Sequence, residues 1–112
     1  MALPVLTVSL AGHLTKQSLE GAFVGVREQL ARSDEKRVVL FDCTAMDDYD
    51  FEAREAFVVW HRQHRTRLAR VAIATDRAIW HLVVRTMALA SSTPMRPFAT
   101  VPDATAWLTS AI

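Results

Sequence analysis

Glycine is scarce: the 112 residues hold only Gly12, Gly21 and Gly25. A phosphate-cradling P-loop and a dinucleotide-binding Gly-x-Gly-x-x-Gly turn both need glycines clustered where backbone meets ligand, and no such cluster exists. There is also no Gly-x-Ser-x-Gly elbow to present a nucleophilic serine. The single cysteine, Cys43, rules out an internal disulfide framework and fits a reducing compartment. Charge of one sign is lacking as well. Thirteen basic and 12 acidic side chains leave a net +1, without the basic excess of a general nucleic-acid binder, so none is expected as a partner. No apolar run reaches the roughly 18 residues of a membrane-spanning helix. The opening MALPVLTVSL has no basic n-region, so a secretory signal is not expected and a cytoplasmic location is.

What is present is an ordinary globular composition, 51% hydrophobic and 22% charged, and residues 1–112 read as one domain. In VLTVSL (5–10), Leu6, Val8 and Leu10 alternate with Val5, Thr7 and Ser9, which predicts a strand with one buried face. Gly12 is expected to end it, and Thr15 to cap a helix over 16–32, where Leu19, Phe23, Val26 and Leu30 form one stripe. RVVLFDC reads as a strand covered on both faces. A second helical stripe follows in Ala53, Phe57, Trp60, His64 and Leu68, then the buried strand RVAIAT. Thr75 or Asp76 is expected to cap a helix over 77–90. MRPFAT reads as a short strand that Pro97 confines to an edge. A last helix begins with Thr100 as N-cap, Pro102 in its first turn and Asp103 at the positive end of its dipole. The order β-α-β-α-β-α-β-α predicts an α/β domain with a mostly parallel four-stranded sheet and about four helices.

The most polar stretch, FDCTAMDDYDFEAREAF (41–57), reads as an acidic loop after the second strand. Functional groups collect at that end of a parallel sheet. Asp47, Asp48 and Asp50 have the chemistry to ligate a hard cation. Their spacing lacks the glycine and distal glutamate of a dedicated calcium loop, so the expected role is helix capping by Asp48 or Asp50. His61 and His64 begin a metal-ligand pattern but do not complete one, and Arg62, Arg65, Arg67 and Arg70 around them oppose cation binding. No metal or cofactor is expected. The arginines suit helix C-termini, with an acidic partner or anionic lipid as the alternative. Cys43, at the end of a buried strand with no adjacent base, reads as an inert core thiol.

The helix AIWHLVVRTMALA (78–90) is apolar around most of its circumference, with only His81, Arg85 and Thr86 polar. A small domain buries one stripe of such a helix. The excess either sinks between neighbours or serves a dimer interface, an apolar ligand pocket or peripheral membrane contact. Phe57, Trp60, Trp80, Val84 and Met87 are the candidate residues for an apolar ligand or interface.

GHLT before a helix, RVVLFDCTAMDDYDFEAREAF, RVAIATDRAIWHLVVRTMA, a strand containing Phe98, and DATAWL together resemble the SpoIIAA-like, STAS-type domains of bacterial anti-sigma-factor antagonists. The resemblance covers nearly the whole chain. It extends to the CRAL-TRIO-related members of that group, which implies a carrier or sensor of a small apolar ligand or lipid. In the antagonists a strand ends in an aspartate, which Asp42 matches, and the next helix opens on an Asp-Ser-Ser-Gly motif, which Asp50 begins. Here the four residues are Asp50, Phe51, Glu52 and Ala53, without a hydroxyl, so a phosphorylation switch cannot operate there. The resemblance places Glu52 at the phosphoserine position. It implies a non-catalytic, regulatory protein-interaction module. Asp48, Tyr49, Asp50, Phe51, Glu52 and Glu55 are the candidate partner-binding residues, with Tyr49 and Phe51 as anchors. No catalytic residue is expected.

Overall fold

The computed structural model describes residues 4–110. Four strands, β1 (Leu6–Leu14), β2 (Arg37–Tyr49), β3 (Leu68–Ala74) and β4 (Met95–Phe98), alternate with four helices. These are α1 (Lys16–Leu30), α2 (Phe51–His64), α3 (Ala78–Ser91) and α4 (Val101–Thr109). All neighbouring strands are parallel, in the order β1-β2-β3-β4. A right-handed crossover that steps the same way three times places every connecting helix on one face. So α1, α2 and α3 pack together over Leu10, Val39, Phe41, Val71 and Ile73. Among the described residues only α4, which follows the last strand, covers the reverse face, over Leu40, Ala72 and Ala74.

That division explains the strand patterns. β2 and β3 lie centrally and are buried on both faces. β1 is an edge beyond the reach of the short α4, so Leu6, Val8 and Leu10 pack inward while Thr7 and Ser9 face solvent. β4 is the other edge, where Pro97 costs no ladder bond that matters.

The helix ends follow local chemistry. Thr15 caps α1 in a reciprocal capping box with Ser18, and the Ser18 N–H donates to Thr15 Oγ1 at 3.1 Å. Thr100 caps α4 through the Asp103 N–H at 3.2 Å. α3 departs from expectation, because Arg77 holds its N-cap position with no side-chain cap bond. Thr75 and Asp76 lie just outside. Thr75 Oγ1 accepts the Arg77 N–H at 3.3 Å and His81 Nε2 meets the Thr75 carbonyl at 2.8 Å, which secures the turn from β3 instead.

The arginines close the opposite ends. Arg62 donates to the Ala90 carbonyl of α3 at 2.8 Å, Arg67 to Leu30 of α1 at 2.8 Å and to Ser33, and Arg70 to Trp107 of α4. Each guanidinium meets orphan carbonyls at the negative end of a neighbouring helix. These cations therefore staple the C-terminal ends of α3, α1 and α4 to α2, to the turn that follows it and to β3. Arg67→Met is expected to cost about 1.5–3 kcal/mol, the usual size for charged hydrogen bonds. The check is a lower urea midpoint with an unchanged denaturant slope.

Candidate functional site

The acidic stretch is not a loop. β1 continues past Gly12 to Leu14, and β2 runs to Tyr49 beside it, pairing Ala11 with Ala45, Gly12 with Met46, His13 with Asp48 and Leu14 with Tyr49. Two register shifts, between Ser9 and Ala11 and between Gly12 and His13, each give β2 one residue more than β1. Such bulges bend a strand and re-aim its side chains. Gly12 adopts φ +65°, a left-handed conformation that glycine reaches without a Cβ clash, so the strand kinks there where a break was expected. As a result Cys43, Met46 and Tyr49, three residues apart, all turn toward the core side, while Asp47 and Asp48 stay outside.

Beneath this extension lies an apolar cavity of about 70 Å³, open to solvent on one side. That is well above the roughly 10–15 Å³ a single water needs. Leu10 and Leu14 of β1, with Cys43, Met46 and Tyr49 of β2, form one wall. Ala53 and Phe57 of α2, with Trp80, Val84 and Met87 of α3, form the other. Cys43 and Ala53 are the smallest side chains of the lining. Tyr49 and Trp80 meet edge to face across the site at 5.5 Å between ring centres. The Arg77 guanidinium lies 4.8 Å from the centre of the Trp80 ring. Burial pushes the Cys43 thiol up to about 12, so it carries no thiolate near neutral pH.

Four of the five predicted apolar-site residues therefore come together: Phe57, Trp80, Val84 and Met87. Trp60 does not join them. The α2 helix turns it toward α1, where it stacks on Phe23 at 4.3 Å and on His64 at 4.4 Å. Leu10, Leu14, Cys43, Met46 and Tyr49 were not foreseen as lining. For Cys43, Met46 and Tyr49 the one trace in the sequence is their three-residue spacing in β2.

The six predicted partner-binding residues do not share one face. Tyr49 lines the cavity, and Glu52 and Glu55 border a cleft between α1 and α2. Phe51 stands out into solvent, 66% exposed. Asp48 and Asp50 turn to His13, whose Nε2 lies 2.6 Å from Asp50 Oδ1 and whose Nδ1 lies 4.0 Å from Asp48 Oδ2. The bond to Asp50, with the charges of Asp50, Asp48 and Asp47, raises the His13 pKa despite some desolvation. Asp50 is the N-cap of α2 by position, but its side chain makes no cap bond; it is spent on His13. Its own N–H donates to the Leu14 carbonyl at 2.9 Å, which ties the helix start to β1.

The remaining histidines on α2 are structural. His61 is fully buried, and its Nδ1–H donates to the Phe57 carbonyl at 2.8 Å. His64 does the same to Trp60 at 2.8 Å. Among the described residues no three His, Cys, Asp or Glu side chains converge as a metal site.

α3 buries Val84, Met87 and Ser91 and half-buries Trp80 and Val83. Ile79, Leu82 and Leu89 stay outside, Leu89 at 84% exposure. The apolar excess of this helix thus faces solvent and is not sunk among neighbours. No helix among the described residues is long and apolar enough to cross a membrane.

Comparison with known proteins agrees with this architecture. The family model described as SpoIIAA-like matches residues 5–109. Among solved structures, an uncharacterized protein of the DUF3478 family with a SpoIIAA-like fold, from Shewanella loihica PV-4, superposes with a TM-score of 0.74. The match is 22% identical and covers 91% of this chain and 82% of that one, a likeness of fold. No curated protein matches the chain. With a bulged parallel sheet, three helices on one face and a family match spanning nearly every residue, the chain belongs to the SpoIIAA-like family.

Proposed function

We propose that this domain works by binding and not by catalysis, and that its ligand is a small apolar molecule held between α3 and the bulged ends of β1 and β2. The observation that carries this reading is the cavity itself. Interiors normally pack to near-crystalline density, and a solvent-open pocket of this size leaves its apolar lining without those packing contacts. An apolar guest restores those contacts, whereas water finds almost no polar partners there. The small volume favours a ring or a short acyl end over an entire lipid chain. The exposed Ile79, Leu82 and Leu89 lie on the same helix that lines the cavity, so an apolar surface met by α3 would deliver ligand close to the mouth. Peripheral membrane contact and homodimerisation both belong to that outer face.

The regulatory reading keeps a narrower basis. The residues from Asp48 to Glu55 divide among the cavity, the His13 pair, solvent and the α1–α2 cleft, and the helix start has no hydroxyl to modify.

The test is native mass spectrometry of the purified protein, followed by titration with the neutral dye N-phenylnaphthylamine. Co-purified mass, or saturable dye fluorescence, is expected from the wild type. Val84→Phe puts a ring into the cavity, and overpacking there costs about 1–3 kcal/mol, which the fold withstands. It is expected to weaken dye binding by about tenfold or more. Leu82→Ser, on the outer face, is expected to leave it unchanged. The reverse ranking of these two variants would place the dye on the surface of α3 and defeat the proposal.

A further inference from the structure

A second concavity lies between α1 and α2, remote in character from the apolar cavity. It measures about 390 Å³. Its floor is apolar: Phe23 of α1, then Ala56, Val59 and Trp60 of α2. Val59 is 46% exposed, unusual for a valine flanked by packed aromatics. Trp60 is only 7% exposed, and its indole N–H has no acceptor among the described residues. Burying such a donor without a partner is costly within the fold.

The rim has the opposite character. Lys16 and Glu20 face each other at 3.9 Å and largely cancel. Glu52 and Glu55 have no cation within ion-pair distance among the described residues. The groove therefore combines an apolar floor with an unneutralised acidic edge along one helix. A small cation would find no enclosing ligand set, and a purely apolar ligand would leave the carboxylates unanswered. The complement is a chain segment with apolar side chains for Val59 and Trp60 and cationic ones for Glu52 and Glu55. Arg62, Arg67 and Arg70 of a second copy cannot supply those cations, since all three are already bonded to helix carbonyls.

We propose that the groove between α1 and α2 docks a short amphipathic segment of another protein, one that presents lysine or arginine beside apolar residues. This does not rest on the ligand reading of the cavity, and the two can fail separately. Docking here would give the domain a protein-facing surface on one side of α2 and a ligand-facing surface on the other.

The probe is the amphipathic peptide acetyl-LKKLLKLLKKLL-amide, titrated into isotope-labelled protein and followed by NMR. Shifts are expected at the Glu52, Glu55 and Val59 amides and at the Trp60 indole N–H. The same peptide with glutamate at every lysine should bind about tenfold more weakly or not at all. Glu52→Lys/Glu55→Lys changes only exposed side chains, so its spectrum should report a native fold while affinity falls about tenfold or more. Val59→Ser should weaken binding without altering its salt dependence. Four results would each overturn the proposal: no binding by the basic peptide; shifts confined to the Asp47–Asp50 edge or to the outer face of α3; equal affinity for the acidic peptide; or undiminished binding by the double variant.

Discussion

Phe41→Ala is expected to remove about 3–5 kcal/mol of folding stability, the range for emptying a fully buried phenylalanine site. Phe41 is 0% exposed, at the centre of β2, and meets Phe57 at 5.0 Å, Phe23 at 6.2 Å and His61 at 5.5 Å between ring centres. Its ring meets side chains of both α1 and α2. Those helices cannot close over an alanine without dragging the arginine staples at their ends, so the cavity would collapse only in part. Domains of this size are stable by about 5–15 kcal/mol, so the loss would remove a large share of that margin. Urea unfolding should show a midpoint lower by at least about 1 M. A shift of a few tenths would mean that Phe41 is not the centre of the core.

Acid should weaken the fold through His61. Burial among Phe23, Phe41, Phe57 and Trp60 lowers its pKa from 6.5 to about 4, the bond to the Phe57 carbonyl opposing this in part. Nδ1 carries the proton of the neutral ring, and Nε2 has no partner among the described residues. Below pH 6.5 the unfolded chain takes up a proton that the native ring refuses. Stability is therefore full above that pH, falls as pH drops toward 4, and loses nothing further from this residue below it. The shift corresponds to about 3 kcal/mol at the low end. His13 works in the opposite direction: its raised pKa means the pair with Asp50 stabilises at low pH and is lost as pH rises through that value. That pair is solvated and screened, so the His61 effect should dominate. Urea midpoints measured from pH 7 down to pH 4 should fall in the wild type and stay nearly level in His61→Leu. An equally steep fall in the variant would assign the acid sensitivity to other groups.

Much of the architecture was legible in the sequence because its signals are local. The alternation of Leu6, Val8 and Leu10 with Thr7 and Ser9 reports one covered face, and the stripe from Leu19 to Leu30 reports one packed face of α1. Thr15 and Thr100 cap as their hydroxyls and following residues dictate. The acidic stretch resembles a loop in sequence for a physical reason. Bulges add residues to β2, so Cys43, Met46 and Tyr49 recur at three, and the period-two signal of a strand vanishes just where aspartates make the segment look like a loop.

Chain order and patterning, by themselves, determined the alternating parallel fold, the absence of a hydroxyl at the start of α2, and the excess of apolar surface on α3. These depend on neighbours a few residues apart. Only the tertiary structure decided that Trp80, Val84 and Met87 face Leu14 and Met46 across a cavity while Trp60 turns to the other side of α2. It also decided that Asp50 binds His13, 37 residues away, and leaves its own helix uncapped. Those choices are set by strand register and helix rotation, and no spacing along the chain carries that information.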